Sequence, residues 1–184
     1  MSPLTRLVTR IKQSKPVTFI VRIDHKISDW LEHFVRSHSV VSKFFVFFKE
    51  ITNFVGIPLI LIILFLNLPL QRAVKLSVLW ILILLFIEYV VKNVIKRKRP
   101  YHIDGKWAGT EKIKSFSFPS SHAYVAGFLT TIWLLLHLPA AYFFVPIFLL
   151  LPISRVALNY HFFVDVITGF VLGVLVAVLG IMLI

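Results

Sequence analysis

Residues 142–184 read "YFFVPIFLLLPISRVALNYHFFVDVITGFVLGVLVAVLGIMLI", two apolar runs with an Arg, a His and an Asp lodged between them. The run after Asp165 has the roughly 20 apolar residues that carry a helix across a bilayer. Hydrophobic runs of this kind do not separate helix from buried strand by period alone. In lipid, however, a helix satisfies its own backbone hydrogen bonds and a lone strand does not. The stretch therefore predicts two membrane-length helices joined by a short charged turn. Charge is expensive in such surroundings, so Arg155, His161 and Asp165 call for a chemical reason.

The rest of the chain agrees. Of its 184 residues 58% are hydrophobic, and the mean hydropathy is +0.88. A small soluble domain keeps too much of its surface in water to hide that much apolar area. No cysteine is present, which excludes disulfides and thiolate metal sites. The net charge of +12 favours anionic partners, and phosphate-bearing lipids fit better than nucleic acid, for which a chain this size has no separate domain.

Five membrane-length segments are expected, at Phe44–Leu68, Ala73–Val91, Ala123–Leu138, Ala140–Leu158 and Phe162–Ile184. Only His137-Leu138-Pro139 separates the third from the fourth, which predicts a tight helical hairpin. Gly169-x-x-x-Gly173 in the last segment is either a close-packing face or the ordinary glycine content of membrane helices. The expected fold is all-α: a multi-pass bundle of about five transmembrane helices, with amphipathic interfacial helices at the N-terminus. Residues 1–43 form the interfacial region and 44–184 the transmembrane domain. Leu4, Leu7, Val8 and Ile11, flanked by Arg6, Arg10 and Lys12, have helical spacing. Ile27, Trp30, Leu31, Phe34 and Val35 repeat it, with Asp29, Glu32 and Arg36 on other faces. No apolar signal core follows the early basic residues.

Beyond the N-terminal region, polar residues concentrate in two loops, Lys92 to His122 and Ser154 to Asp165. The hairpin between them returns both loops to one membrane face. Lys92 and Arg99 are seven apart, two turns of one helix face, with Pro100 expected to stop that helix. "FPSSHAYVAGF" (118–128) reads as a helix start whose free N–H groups make an anion site, with His122 in the first turn. His161 and Asp165 are four apart, so Asp165 on the same helical face can orient the imidazole and leave its other nitrogen free.

Taken together, Lys92-x6-Arg99-Pro100, Pro119-Ser120-Ser121-His122 and Ser154-Arg155-x5-His161-x3-Asp165 resemble the three-part signature of the type-2 phosphatidate phosphatase superfamily, which includes membrane lipid phosphatases and vanadium haloperoxidases. Ser121 departs from the commoner glycine. The resemblance implies that His161 is a nucleophile forming a phosphohistidine, that Asp165 holds its tautomer, and that His122 is the general acid and base. It further implies that Lys92, Arg99, Ser120, Ser121 and Arg155 bind phosphate, with no metal and no cofactor. The substrate would be a membrane lipid with a terminal phosphate: phosphatidylglycerophosphate, undecaprenyl diphosphate or the 1-phosphate of lipid A. A phosphotransferase using the same intermediate and a non-catalytic binder of anionic lipid are the alternatives.

Other polar residues receive plainer readings. Lys96, Arg97 and Lys98 are headgroup anchors. Glu88 either orients Lys92 or neutralises it. Ser154 holds its loop; Tyr101, His102 and Trp107 are loop residues; His25, His33, His38 and His137 receive no role. With five spans, the catalytic face carries nine Lys and Arg in residues 1–50, eight in 92–114, and Arg155, against Arg72 and Lys75 opposite. The positive-inside rule alone puts that face in the cytoplasm. The resemblance implies a site facing the periplasm or exterior of a bacterial inner membrane, and that is the expectation adopted. Oligomeric state is left open.

Overall fold

A computed structural model describes residues 15–105 and 113–183, all of whose regular elements are helices. The helices are α1 (Lys15–Ser37), α2 (Ser39–Asn67), α3 (Leu70–Ile95), the single turn α4 (Tyr101–Asp104), α5 (Ser121–Leu135), α6 (Ala141–Ala157) and α7 (Phe163–Leu183). All five apolar segments read from the sequence fall on helices. Among the described residues, two of these, α3 and α7, are long and apolar enough to cross a membrane. At 15 and 17 residues, α5 and α6 are about 22 and 25 Å long, under the roughly 30 Å of a hydrocarbon core. The amphipathic stretch around Leu4 to Ile11 lies outside the described residues.

The bundle centres on α5 and α7, and glycine decides how close they come. A Cβ on Gly173 would stand 2.0 Å from the Tyr124 carbonyl oxygen, one on Gly169 2.3 Å from that of Ser120, and one on Gly127 2.1 Å from that of Phe170. No side chain fits at those distances, so the Gly169/Gly173 spacing is a packing face. Trp80, Ala73 and Leu76 from α3 fill the core with Tyr124, Phe128 and Ile132 from α5, and Tyr124 donates its hydroxyl to the Trp80 carbonyl at 3.1 Å. The hairpin between α5 and α6 is as tight as expected. His137 and Ala140 turn it with left-handed backbones, and Trp133 closes it by donating to the Pro139 carbonyl at 3.0 Å.

Helix α1 inverts the usual amphipathic arrangement. Asp24, Ser28 and Glu32, four apart along one face, are buried with Val35, while Phe19, Ile20, Ile23, Trp30 and Phe34 point outward. Glu32, expected on a face other than the one that holds Val35, therefore belongs with it to the buried stripe. The polar stripe has a specific customer, the N-terminus of α7. The Phe163 N–H donates to Ser28 Oγ at 2.9 Å and the Val164 N–H to Asp24 Oδ1 at 2.8 Å. First-turn N–H groups have no partner within their own helix, and here a helix from the start of the chain supplies two. The break between α1 and α2 falls at His38.

Candidate active site

One end of the bundle gathers the C-termini of α3 and α6 and the N-termini of α5 and α7. Between them lies a cavity of about 80 Å³ lined by Glu88, Lys92, Arg99, Ile113, Ser115, Ser121, His122, Arg155, Tyr160 and His161. Seven of the eight residues expected to act here (Lys92, Arg99, Ser121, His122, Arg155, His161, with Asp165 just behind) are thus brought together from four separate elements.

Lys92 and Arg99 arrive differently from the expectation. A π turn at Ile87–Val91 precedes Lys92, and the helix ends at Ile95, where Lys96 takes a left-handed backbone (φ 52°). Arg99 is therefore beyond the helix, and Pro100 begins α4 instead of ending α3. The two cations meet at the cavity because the chain turns, not because they share a helical face. Lys92, 3% exposed, is held by Glu88 at 2.7 Å, and Glu88 also accepts from Ser121 Oγ. Arg99 is anchored on both sides. Its Nε donates to the Ser115 carbonyl at 2.8 Å and its Nη2 to Ser115 Oγ at 3.0 Å. On the other side its Nη1 reaches the Tyr160 carbonyl at 3.0 Å and His161 Nε2 at 3.1 Å.

That last contact fixes the imidazole. A guanidinium can only donate, so Nε2 carries the lone pair and Nδ1 the proton. His161 precedes α7 by two residues, and its Nδ1 stands 3.8 Å from Asp165 Oδ2. Asp165 therefore does not reach the ring directly, as the helical spacing had implied. Ser117 Oγ bridges, lying 3.3 Å from Nδ1 and donating to Asp165 Oδ2. Burial lowers the His161 pKa to about 4, the Asp165 interaction opposing and the Arg99 charge adding to it. The ring is neutral at neutral pH.

The other expected residues take clear places. Ser120 is fully buried and caps α5, its Oγ accepting from Ala123 N–H at 3.4 Å; it is not among the described residues that line the cavity. Arg155 is buried, donates to Thr52 Oγ1 of α2 at 3.1 Å and lines the cavity. Ser154 holds the end of α6 through the Leu151 carbonyl at 2.6 Å. Tyr101 is buried against Tyr160 and bonded to Ile113, whereas His102 is exposed. Trp107 lies outside the described residues. Among the described residues, no cluster of three or more His, Asp or Glu side chains is arranged to hold a metal ion.

Arg97 corrects the reading of the Lys96-Arg97-Lys98 run as headgroup anchors. Its Nη1 donates to Asp165 Oδ1 at 2.6 Å, its Nη2 donates to Asp24 Oδ2, and its guanidinium lies 4.4 Å over the Phe162 ring. Asp165 accepts from Ser117, from Arg97 and from the Phe162 N–H at 3.0 Å. Ser117, Arg97 and Asp24 were missed in the sequence. For Asp24 a signal existed: Asp24, Ser28 and Glu32 form a polar stripe at i, i+4, i+8, which an interfacial helix exposed on that side has no need to keep in register.

A family model described as the PAP2 superfamily matches residues 73–184, which hold every described residue lining the cavity. The chain belongs to the PAP2 superfamily. Among solved structures, this PAP2 chain is similar to the first transmembrane PAP2 type phosphatidylglycerolphosphate phosphatase from Bacillus subtilis, at 25% identity and a TM-score of 0.71, over 96% of this chain and 90% of that one. Its fold is also that of LpxE from Aquifex aeolicus, with a TM-score of 0.68 and 19% identity over 85% of this chain and 93% of the other. The PAP2 match begins at Ala73, so Asp24 and Thr52 lie outside it.

Proposed function

We propose that this PAP2 chain is an integral membrane lipid phosphatase that removes a terminal phosphate through a phosphohistidine on His161, without a metal ion. The observation that carries the reading is the 3.1 Å contact of Arg99 Nη1 with His161 Nε2, which leaves a neutral imidazole with its lone pair toward a cavity walled by Lys92, Arg99 and Arg155. In the first step Nε2 forms the N–P bond as the bond from phosphorus to the lipid oxygen breaks, and His122, which takes up a proton as the anionic phosphate enters beside it, gives that proton to the lipid oxygen. In the second, His122 takes a proton from water, the water oxygen attacks phosphorus, and the N–P bond breaks to release inorganic phosphate. The three cations and the first N–H groups of α5 face the phosphoryl oxygens as charge spreads over them. They take the place a divalent ion would fill.

Phosphatidylglycerophosphate is the first substrate to test, because the similar Bacillus subtilis protein is named for it and the likeness runs over 96% of this chain. The test is phosphate release with EDTA present, by wild type and His161→Ala, from phosphatidylglycerophosphate, undecaprenyl diphosphate and lipid A. Release by wild type alone supports the reading, and the ranking of lipids names the substrate. Equal release by both proteins removes His161 as nucleophile. We place the site on the exterior face. Because the chain has no cysteine, a single Lys114→Cys label with an impermeant maleimide reads the side directly; labelling only after lysis would put it in the cytoplasm.

A further inference from the structure

Two carboxylates share one guanidinium behind His161. Arg97 spans them, with Nη1 on Asp165 Oδ1 at 2.6 Å and Nη2 on Asp24 Oδ2. Asp24 and Asp165 are 2% and 0% exposed, and Arg97 is stacked on Phe162. The arrangement has a charge consequence. An Arg97–Asp165 pair alone carries no net charge. With Asp24 included, the trio carries one negative charge.

We propose that Asp24 and Arg97 are positioning residues of the His161–Asp165 pair, Arg97 fixing the plane of the Asp165 carboxylate and Asp24 restoring the negative charge that Arg97 would otherwise cancel. The inference rests on the reading of His161 as nucleophile. When Nε2 bonds phosphorus while Nδ1 keeps its proton, the ring becomes positive, and a net negative charge behind it stabilises that change. Asp24 comes from α1, outside the residues matched by the PAP2 family model. Through it the outward-facing apolar helix is tied to the reacting imidazole.

Asp24→Asn removes the charge and keeps the cap, because an amide oxygen still accepts the Val164 N–H, while the amide NH2, a donor only, gives up the bond from Arg97 Nη2. Phosphate release from phosphatidylglycerophosphate in mixed micelles should show kcat lowered about tenfold with KM nearly unchanged, the pattern of a lost transition-state interaction. Asp24→Ala should add a fall in Tm, since the cap goes too. Asp24→Asn combined with Arg97→Gln should recover part of kcat, because Asp165 then carries its charge uncompensated. The same order should appear without turnover in the Kd of orthovanadate, which mimics the five-coordinate phosphorus on the nucleophile.

A wild-type kcat in Asp24→Asn beside an impaired Asp24→Ala would reduce Asp24 to a helix cap and overturn the proposal. So would a double variant slower than Asp24→Asn. An active His161→Ala would overturn the phosphatase mechanism and this inference with it, whereas an inactive His161→Ala beside an unaffected Asp24→Asn would overturn the inference alone.

Discussion

Arg99 Nη1 stands 3.1 Å from His161 Nε2, so the lone pair that would attack phosphorus is occupied by a cation until substrate arrives. The same guanidinium is anchored to Ser115 and Tyr160. On the proposed mechanism an incoming phosphoryl group would take over that donor, exchanging a neutral nitrogen for a charged oxygen and freeing the nucleophile in the same movement. Arg99→Lys keeps the charge and loses the fork. We expect kcat/KM to fall by about 100-fold, the equivalent of about 2.7 kcal/mol, with Tm altered little; equal kinetics for the two proteins would remove Arg99 from the cradle.

The ionisation of His161 is a second check. An ordinary histidine titrates near pH 6.5, about 2.5 above the value to which burial and Arg99 bring this one. A lowered pKa means that the neutral, nucleophilic form survives as the pH falls and is lost only on passing about 4. Histidine ¹⁵N chemical shifts of the detergent-solubilised protein should give a midpoint near pH 4 for His161. A midpoint at 6 or above would show that the ring is solvated and not held as described.

Among the described residues, Glu88 is the one carboxylate in the cavity wall, and it holds Lys92 at 2.7 Å. On the proposed function, phosphate competes with it for the ammonium. Glu88→Gln removes the competitor and leaves an amide able to accept from Ser121. Inorganic phosphate should then inhibit at a several-fold lower concentration, while kcat changes less. Weaker inhibition would mean that Glu88 orients Lys92 for phosphate and does not withhold it.

Gly173 tests the packing that places the two halves of the site. Its missing Cβ would lie 2.0 Å from the Tyr124 carbonyl oxygen and 2.7 Å from the Phe128 nitrogen, both backbone atoms that cannot rotate away. Gly173→Ala must separate α5 from α7, at a cost of about 1–3 kcal/mol. A Tm several degrees lower in detergent is expected, with activity reduced in the protein that remains folded. An unchanged Tm would mean that the helices are less closely apposed.

Much of this was legible because apolar runs and motif spacings are local properties. The five apolar segments, the hairpin at His137-Leu138-Pro139 and the helix start within 118–128 depend on neighbours in sequence, and each is read from them. The two misplacements also share a cause. Spacing puts Lys92 and Arg99 on one helix because Pro100 is the visible stop, yet Lys96 ends it four residues earlier with a left-handed backbone that no glycine or asparagine announces. Spacing pairs Asp165 directly with the imidazole because it does not show that His161 precedes the helix, and nothing local marks Ser117 as the bridge. Arg97 looked like its neighbours Lys96 and Lys98; only the fold distinguishes the one that turns inward. A stripe at i, i+4, i+8 marks Asp24, Ser28 and Glu32 as a face but does not say which way the face points.

The bonds from Ser28 and Asp24 to the start of α7 join residues 135 and 140 apart in the chain. Synthesis runs from one to the other at about 5–20 residues per second, so about 7–28 s separate the emergence of the two partners. Through that interval α1 has no α7 to cap. The site is therefore complete only when nearly the whole sequence has been made: the first described helix supplies the cap, and the last one receives it.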